Sequence, residues 1–300
     1  MANTFSKSTQ LTKESFSIIR KNKKILLLPI AFFTTIILLI ILFFIQSGFL
    51  LDTLIYTTHP IYTTYTTYAV FVSILVYYIL GCFTFIFFNA WIINYAYAAL
   101  KKEKITFIKS FKNTAKHIKK IFIWSLISGT LGGILIILGI IFRGSKTINK
   151  IYEKILNISG IAWDLLTFFI IPIILFENLD IPNSIKRSGY LFKKSWGENL
   201  AGQFSMDYFF LFLYIIVTVP LLLWFIGTGS GAAFLLTWAY WIFLGLFGSV
   251  LGGIFTTALY IYAASGEITS DYNPEFIKNN FVPSLPPTSD TSGKNAPNGR

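Results

Sequence analysis

The sequence predicts an all-α protein, a polytopic transmembrane helical bundle of about six spans with basic amphipathic interfacial helices between them. Three observations carry this. The 300 residues are 54% hydrophobic and only 13% charged, where an ordinary soluble chain carries roughly a quarter charged residues. Apolar runs of span length recur, each long enough to cross a hydrocarbon core of ~30 Å. Lys and Arg gather just outside those runs, where they set topology and attract anionic headgroups. The +12 formal charge therefore points to the lipid bilayer and its anionic headgroups as partners, not to nucleic acid.

Residues 1–24 form a basic N-terminal segment, with Lys7, Lys13, Arg20, Lys21, Lys23 and Lys24 against Glu14. The following run, 25–46, is too long for a signal-peptide core and has no small-residue cleavage site after it, so it is expected as a retained first span. Residues 47–68 contain no Lys or Arg and repeat Tyr-Thr-Thr at Tyr56, Tyr62 and Tyr65. They read as an external loop with an interfacial aromatic belt. His59 has no second histidine nearby, so a metal site is not expected. The second span, 69–99, exceeds what a bilayer needs and is expected to tilt or to extend beyond it.

Residues 101–120 hold eight lysines. Phe107, Phe111, Ala115, Ile118 and Phe122 recur every three or four residues, and Lys109, Lys112, Lys116, Lys119 and Lys120 fall mostly opposite. That pattern predicts a basic amphipathic helix in the interface. The third span, 121–142, carries Gly129 and Gly133, spaced for close helix approach. Residues 143–158 include Arg143, Lys146, Lys150 and Lys154, and a further surface helix accounts for them. The fourth span, 159–176, contains Asp164 and Pro172. After the turn Glu177 to Asp180 comes another surface helix. Ile181, Ile185, Gly189, Phe192 and Trp196 share one face, and Lys186, Arg187, Lys193 and Lys194 lie mostly away from it. Pro182 suits its first turn. The fifth span, 200–226, has Asp207 and Pro220. The sixth, 232–264, has Gly245, Ser249 and Gly253 at four-residue steps, a smooth packing face.

The expected layout is a cytoplasmic basic segment (1–24), a six-span membrane domain (25–264) and a cytoplasmic, largely disordered tail (265–300) rich in Pro, Ser, Asn, Asp and Gly. Most Lys and Arg then fall on the inner side, which favours an even span count with both termini cytoplasmic.

The chain also reads as three copies of one unit: a basic surface helix followed by two spans. Ser15-Phe16 with Lys23-Lys24, Ser110-Phe111 with Lys119-Lys120, and Ser188-Gly189-Tyr190 with Lys193-Lys194 precede spans one, three and five. The exits of spans two and six match as Tyr95-Ala96-Tyr97-Ala98-Ala99 and Tyr260-Ile261-Tyr262-Ala263-Ala264.

Asp164 and Asp207 are the only acids placed well within spans. A charge at the centre of a span costs roughly 2.5–3.5 kcal/mol on insertion scales, which marks such groups as functional candidates. With Asn89 they form the candidate intramembrane polar site. The structural alternative is snorkelling or interhelical hydrogen bonding. Pro172 is a candidate hinge, because a proline inside a helix frees a carbonyl. The candidate lipid-headgroup contacts are Lys112, Lys116, Lys119, Lys120, Lys186, Arg187, Lys193 and Lys194. Cys82 is the sole cysteine; it forms no intrachain disulfide and is expected as a small apolar filler.

There is no nucleotide-binding glycine motif, no metal-ligand histidine set and no Ser–His–Asp pattern, so neither an enzyme nor a cofactor is expected. The expected function is that of a multi-pass integral membrane protein with a non-enzymatic, membrane-organising or accessory role. The alternative is a small-molecule, ion or lipid transporter using the bundle interior.

Five pieces resemble a known family: Phe87-Phe88-Asn89-Ala90; Trp163 with Thr167 and Pro172; Ser184 with Ser188; Lys194-Ser195-Trp196-Gly197-Glu198; and Gly253-Ile254-Phe255 with Ala258-Leu259-Tyr260, Tyr262 and Ala263. They are similar to an uncharacterised family of six-span bacterial integral membrane proteins, known as a domain of unknown function. The resemblance spans roughly residues 12 to 283. It implies a bacterial inner-membrane location and brings no activity or catalytic residues.

Overall fold

The computed structural model describes residues 15–56, 60–141, 166–196 and 203–269. Residues 1–14, the expected loop 143–158, Asp164 and the tail beyond 269 lie outside the described residues. Among the described residues every regular element is helical, as predicted. A helical segment α1 (15–21) is followed by the 3₁₀ turn Lys23–Leu26 and then by α2 (Leu27–Tyr56), α3 (Pro60–Leu100), α4 (Phe107–Ala115) and α5 (Ile118–Ile141). After these come α6 (Ile170–Phe176), α7 (Ile181–Trp196), α8 (Gln203–Thr228) and α9 (Gly231–Ser265). Four stretches among the described residues are long and apolar enough to cross a membrane: Lys23–Phe49, Tyr65–Leu100, Leu211–Thr228 and Gly231–Ser265.

Two antiparallel hairpins, together with α5 alongside α3, make up the exposed part among the described residues. In α2 and α3, Gln46 Nε2 donates to Ser73 Oγ at 2.8 Å and the rings of Phe43 and Tyr77 meet edge-on at 5.2 Å. In α8 and α9, Tyr240 donates to the Leu213 carbonyl at 2.7 Å and Trp241 Nε1 to Thr218 Oγ1 at 2.8 Å. Hydroxyl and indole groups are thus paired where the surrounding surface is apolar, which is how a polar group is tolerated in lipid. The α8–α9 turn passes through Gly229 at φ +63°, a left-handed position suited to glycine.

Burial changes sharply along α3 and α9. Residues 65–85 of α3 are mostly exposed and apolar, whereas Phe87, Ala90, Trp91, Ile92, Ile93 and Ala96 are buried. In α9 Leu235, Trp238 and Phe243 are exposed, and Val250, Leu251 and Ile254 are fully buried. The buried halves of both helices join Ile18, Ile25, Ile121, Phe169, Ile173 and Leu191 in one core at one end of the bundle. Close contact there demands a glycine: a Cβ on Gly253 would stand 2.5 Å from Ile92 Cγ2. At 41 residues, α3 is about 60 Å long, and its exposed stretch alone is about 30 Å, the thickness of a hydrocarbon core.

Several expectations are corrected. The predicted external loop 47–68 is helical over 47–56 and 60–68. The apolar spacing of the first span continues to Tyr56 without a proline, and Pro60 opens α3 at the position where proline is preferred. The predicted continuous surface helix over 101–120 is broken. The chain leaves α3 through Lys102 at φ +56°. Thr106 then caps α4, its Oγ1 accepting from Lys109 N at 3.2 Å. A further break at 116–117 separates α4 from α5.

Of the predicted fourth span, 159–165 lies outside the described residues and the remainder is not one continuous helix. Phe168 and Phe169 form a turn, and the seven-residue α6 is buried at Ile170, Pro172, Ile173, Ile174 and Leu175. On α7 the buried face is Ile181, Ser184, Ser188, Leu191 and Phe192, with Ile185 and Gly189 only half-buried. The predicted face is thus rotated toward the serines. The reason lies just before α6: a Cβ on Gly189 would meet Leu166 Cδ2 at 2.8 Å, and Ser188 is taken by a backbone donor, Phe169 N.

Candidate functional site

The turn between α6 and α7 gathers polar groups from four parts of the chain. Glu177 ends α6, and Asn178 adopts φ +54°, a conformation asparagine tolerates better than most residues. Arg187 of α7 donates from Nε to both Glu177 oxygens, at 2.9 and 3.2 Å. Tyr260 of α9 donates to Glu177 Oε1 at 3.2 Å. Lys120 of α5 donates from Nζ to the Asn178 carbonyl at 2.6 Å and to its Oδ1 at 2.7 Å. The Asn178 side chain also hydrogen-bonds His117. Phe176 is stacked on Tyr97 of α3 at 4.0 Å. Burial foremost, then the ammonium groups of Lys120 and Lys116, push the His117 imidazole below its ordinary value. This charge-assisted network ties α5, α7 and α9 to one turn.

Beside it, a cleft of about 370 Å³ opens between α3, α5, α9 and residues 167–171. Phe85, Ile86, Trp124 and Phe168 supply apolar wall, and Asn89, Ser128, Thr167 and Thr256 supply uncharged polar groups. Cys82 and Gly129 sit at the α3–α5 contact, where Tyr78 donates to the Gly129 carbonyl at 2.7 Å. Asn89 also borders a smaller cavity of about 220 Å³ toward Pro29, Phe32, Gly245 and Ser249.

The sequence-derived candidates are distributed unequally over these two features. Asn89 lies at the cleft. Asp164 falls outside the described residues, and Asp207 is on α8 with its side chain outside the described set. Pro172 stands in the first turn of α6, where its missing N–H leaves no intrahelical bond unmade. It starts a buried helix rather than kinking a span. Lys112, Lys116, Lys119, Lys186 and Lys193 are exposed, and the side chain of Lys194 is outside the described set. Lys120 and Arg187, read as headgroup contacts, are engaged with Asn178 and Glu177. Sequence reasoning missed Glu177, Asn178, His117 and Tyr260 as partners. The short acidic turn was visible, but nothing in the chain shows that Tyr260, 83 residues away, reaches it.

No curated protein and no solved structure matches the chain. Residues 68–270 match a family of unknown function (DUF6159). The match leaves out α1 and α2 and takes in both the Glu177 turn and the cleft. It covers more than half of the sequence, and the chain belongs to this family.

Proposed function

We propose that this is a non-enzymatic, membrane-organising or accessory protein of the bacterial inner membrane, whose compact basic end rests on the anionic headgroups of the cytoplasmic leaflet. One observation carries the reading: every Lys and Arg among the described residues belongs to the compact end, on α1, the 3₁₀ turn, the 101–120 region or α7. The exposed apolar stretches of α2, α3, α8 and α9 contain none. Exposed Ile108, Phe111, Ile118 and Phe122 lie among the exposed lysines of α4 and α5. Apolar and cationic side chains so mixed suit the boundary between headgroups and acyl chains. Each lysine near an anionic surface contributes about 1 kcal/mol.

The test is the lipid retained by the purified full chain from nanodiscs of mixed phosphatidylglycerol and phosphatidylcholine. Replacing Lys112, Lys116 and Lys119 together with Gln is expected to reduce phosphatidylglycerol enrichment and its sensitivity to salt. Unchanged enrichment would overturn the reading.

A second reading, transport of a small molecule, ion or lipid through the bundle, draws support from the cleft beside Asn89. It predicts that Asp164→Asn or Asp207→Asn abolishes flux in proteoliposomes while expression and folding stay normal. Flux that survives both substitutions excludes proton-coupled transport through these carboxyls.

A further inference from the structure

We propose that the cleft beside Asn89 binds one uncharged lipid bearing a free hydroxyl and ester carbonyls, of the diacylglycerol type, admitted sideways from the bilayer. This goes beyond the surface-binding role and does not depend on it. The first argument is unmet hydrogen bonding. Hydroxyls in these helices commonly donate to a carbonyl three or four residues back: Ser125 to Phe122 at 2.7 Å, Thr130 to Leu126 at 2.7 Å, and Thr257 to Gly253 at 2.6 Å. Ser128 and Thr256, the neighbours that line the cleft, have no such bond, and the Asn89 carboxamide has no partner among the described residues. In an environment of low polarity an unpaired amide or hydroxyl costs free energy comparable to a lost hydrogen bond. Three such groups, from α3, α5 and α9, border the same cleft.

The second argument is the chemistry of the lining. No Lys, Arg, Asp or Glu is among the described residues that line the cleft, so this lining offers a phosphate headgroup no counter-charge. The carboxamide offers both donors and an acceptor, and each hydroxyl offers one donor and an acceptor. Together they match a hydroxyl flanked by ester carbonyls. The apolar wall suits an acyl chain, and 370 Å³ lies within the range of roughly 300–1,000 Å³ usual for ligand pockets.

The third argument is access. Phe85, at the cleft, is 57% exposed, and Phe87 is buried. The polar groups therefore lie where the exposed belt of α3 gives way to the core, within reach of a molecule diffusing in the bilayer.

The full chain in proteoliposomes, photolysed with a trace of diazirine-labelled diacylglycerol or the matching phosphatidic acid, tests the proposal. Peptides covering residues 82–93 and 124–130 are expected to be labelled by the diacylglycerol probe, in competition with unlabelled diacylglycerol, and weakly by the phosphatidic acid. Ser128→Ala with Thr256→Val should lower that labelling roughly tenfold. Its melting temperature should not change, because neither hydroxyl has a hydrogen-bond partner among the described residues. Asn89→Leu should abolish competition. Equal labelling by the two probes, or undiminished labelling in the Ser128→Ala, Thr256→Val protein, would overturn the proposal.

Discussion

Ser15, Ser110 and Ser188 are fully buried, and each is followed within two residues by an exposed aromatic: Phe16, Phe111 or Tyr190. These are the serines that the internal repeat aligns, yet their chemistry has diverged. Ser188 Oγ accepts from Phe169 N at 3.0 Å, in the turn that precedes α6. Ser110 Oγ is buried with no hydrogen-bond partner among the described residues. Removing the first hydroxyl strands a buried amide, and Ser188→Ala is expected to cost about 1–3 kcal/mol. Removing the second relieves an unpaired group, and Ser110→Ala is expected to be neutral or stabilising by up to ~1 kcal/mol. Thermal unfolding of the two variants in one detergent checks the contrast. A sequence scan for apolar periodicity passes over all three, because the innermost position of each surface helix is taken by a small polar residue.

Among the elements, α6 and α7 departed furthest from what the sequence implied. The apolar run ending at Phe176 has the composition of a span, and composition alone does not separate lipid from protein as the environment of an apolar helix. What distinguishes α6 is the network at its end. Glu177, Asn178, Arg187, Lys120 and Tyr260 hold the following turn against three other helices. His117 belongs to this cluster, and its neutral form is favoured in the folded state because its pKa is lowered from 6.5. The unfolded chain therefore takes up the proton more readily. The contribution of His117 is constant above its unfolded value and turns against folding as pH falls through and below about 6.5. The melting temperature is expected to drop over that window, and His117→Gln should flatten the drop. A drop of equal size in His117→Gln would assign it to the carboxylates.

At the scale of the whole molecule, the all-α class and the presence of several long apolar helices were legible in composition and run length alone; of the about six spans expected, four stretches among the described residues are long and apolar enough. The excess length of the second run was legible too, and α3 accounts for it by passing from an exposed belt into the core. Which half would be buried was not legible, since Tyr65 to Phe85 and Phe87 to Leu100 are similarly apolar. The difference is made by α1, α4, α6 and α7, short helices that pack at one end only. Of the candidate site, Asn89 was legible as a polar residue in an apolar run. Its convergence with Ser128 and Thr256 required the pairing of helices that no local pattern encodes.

The continuity of α3 and α9 across that boundary has a practical consequence. The compact end resembles a water-soluble module, with its own core and a charged exterior, but two of its principal walls are the terminal halves of membrane helices. Neither α3 nor α9 has a linker at which that end can be cut free. A fragment lacking the exposed halves would begin α3 and α9 in mid-helix, with fresh unpaired amides beside buried Ala90 and Val250. Work on the basic face in isolation therefore calls for substitutions within the intact chain rather than for excision of a domain.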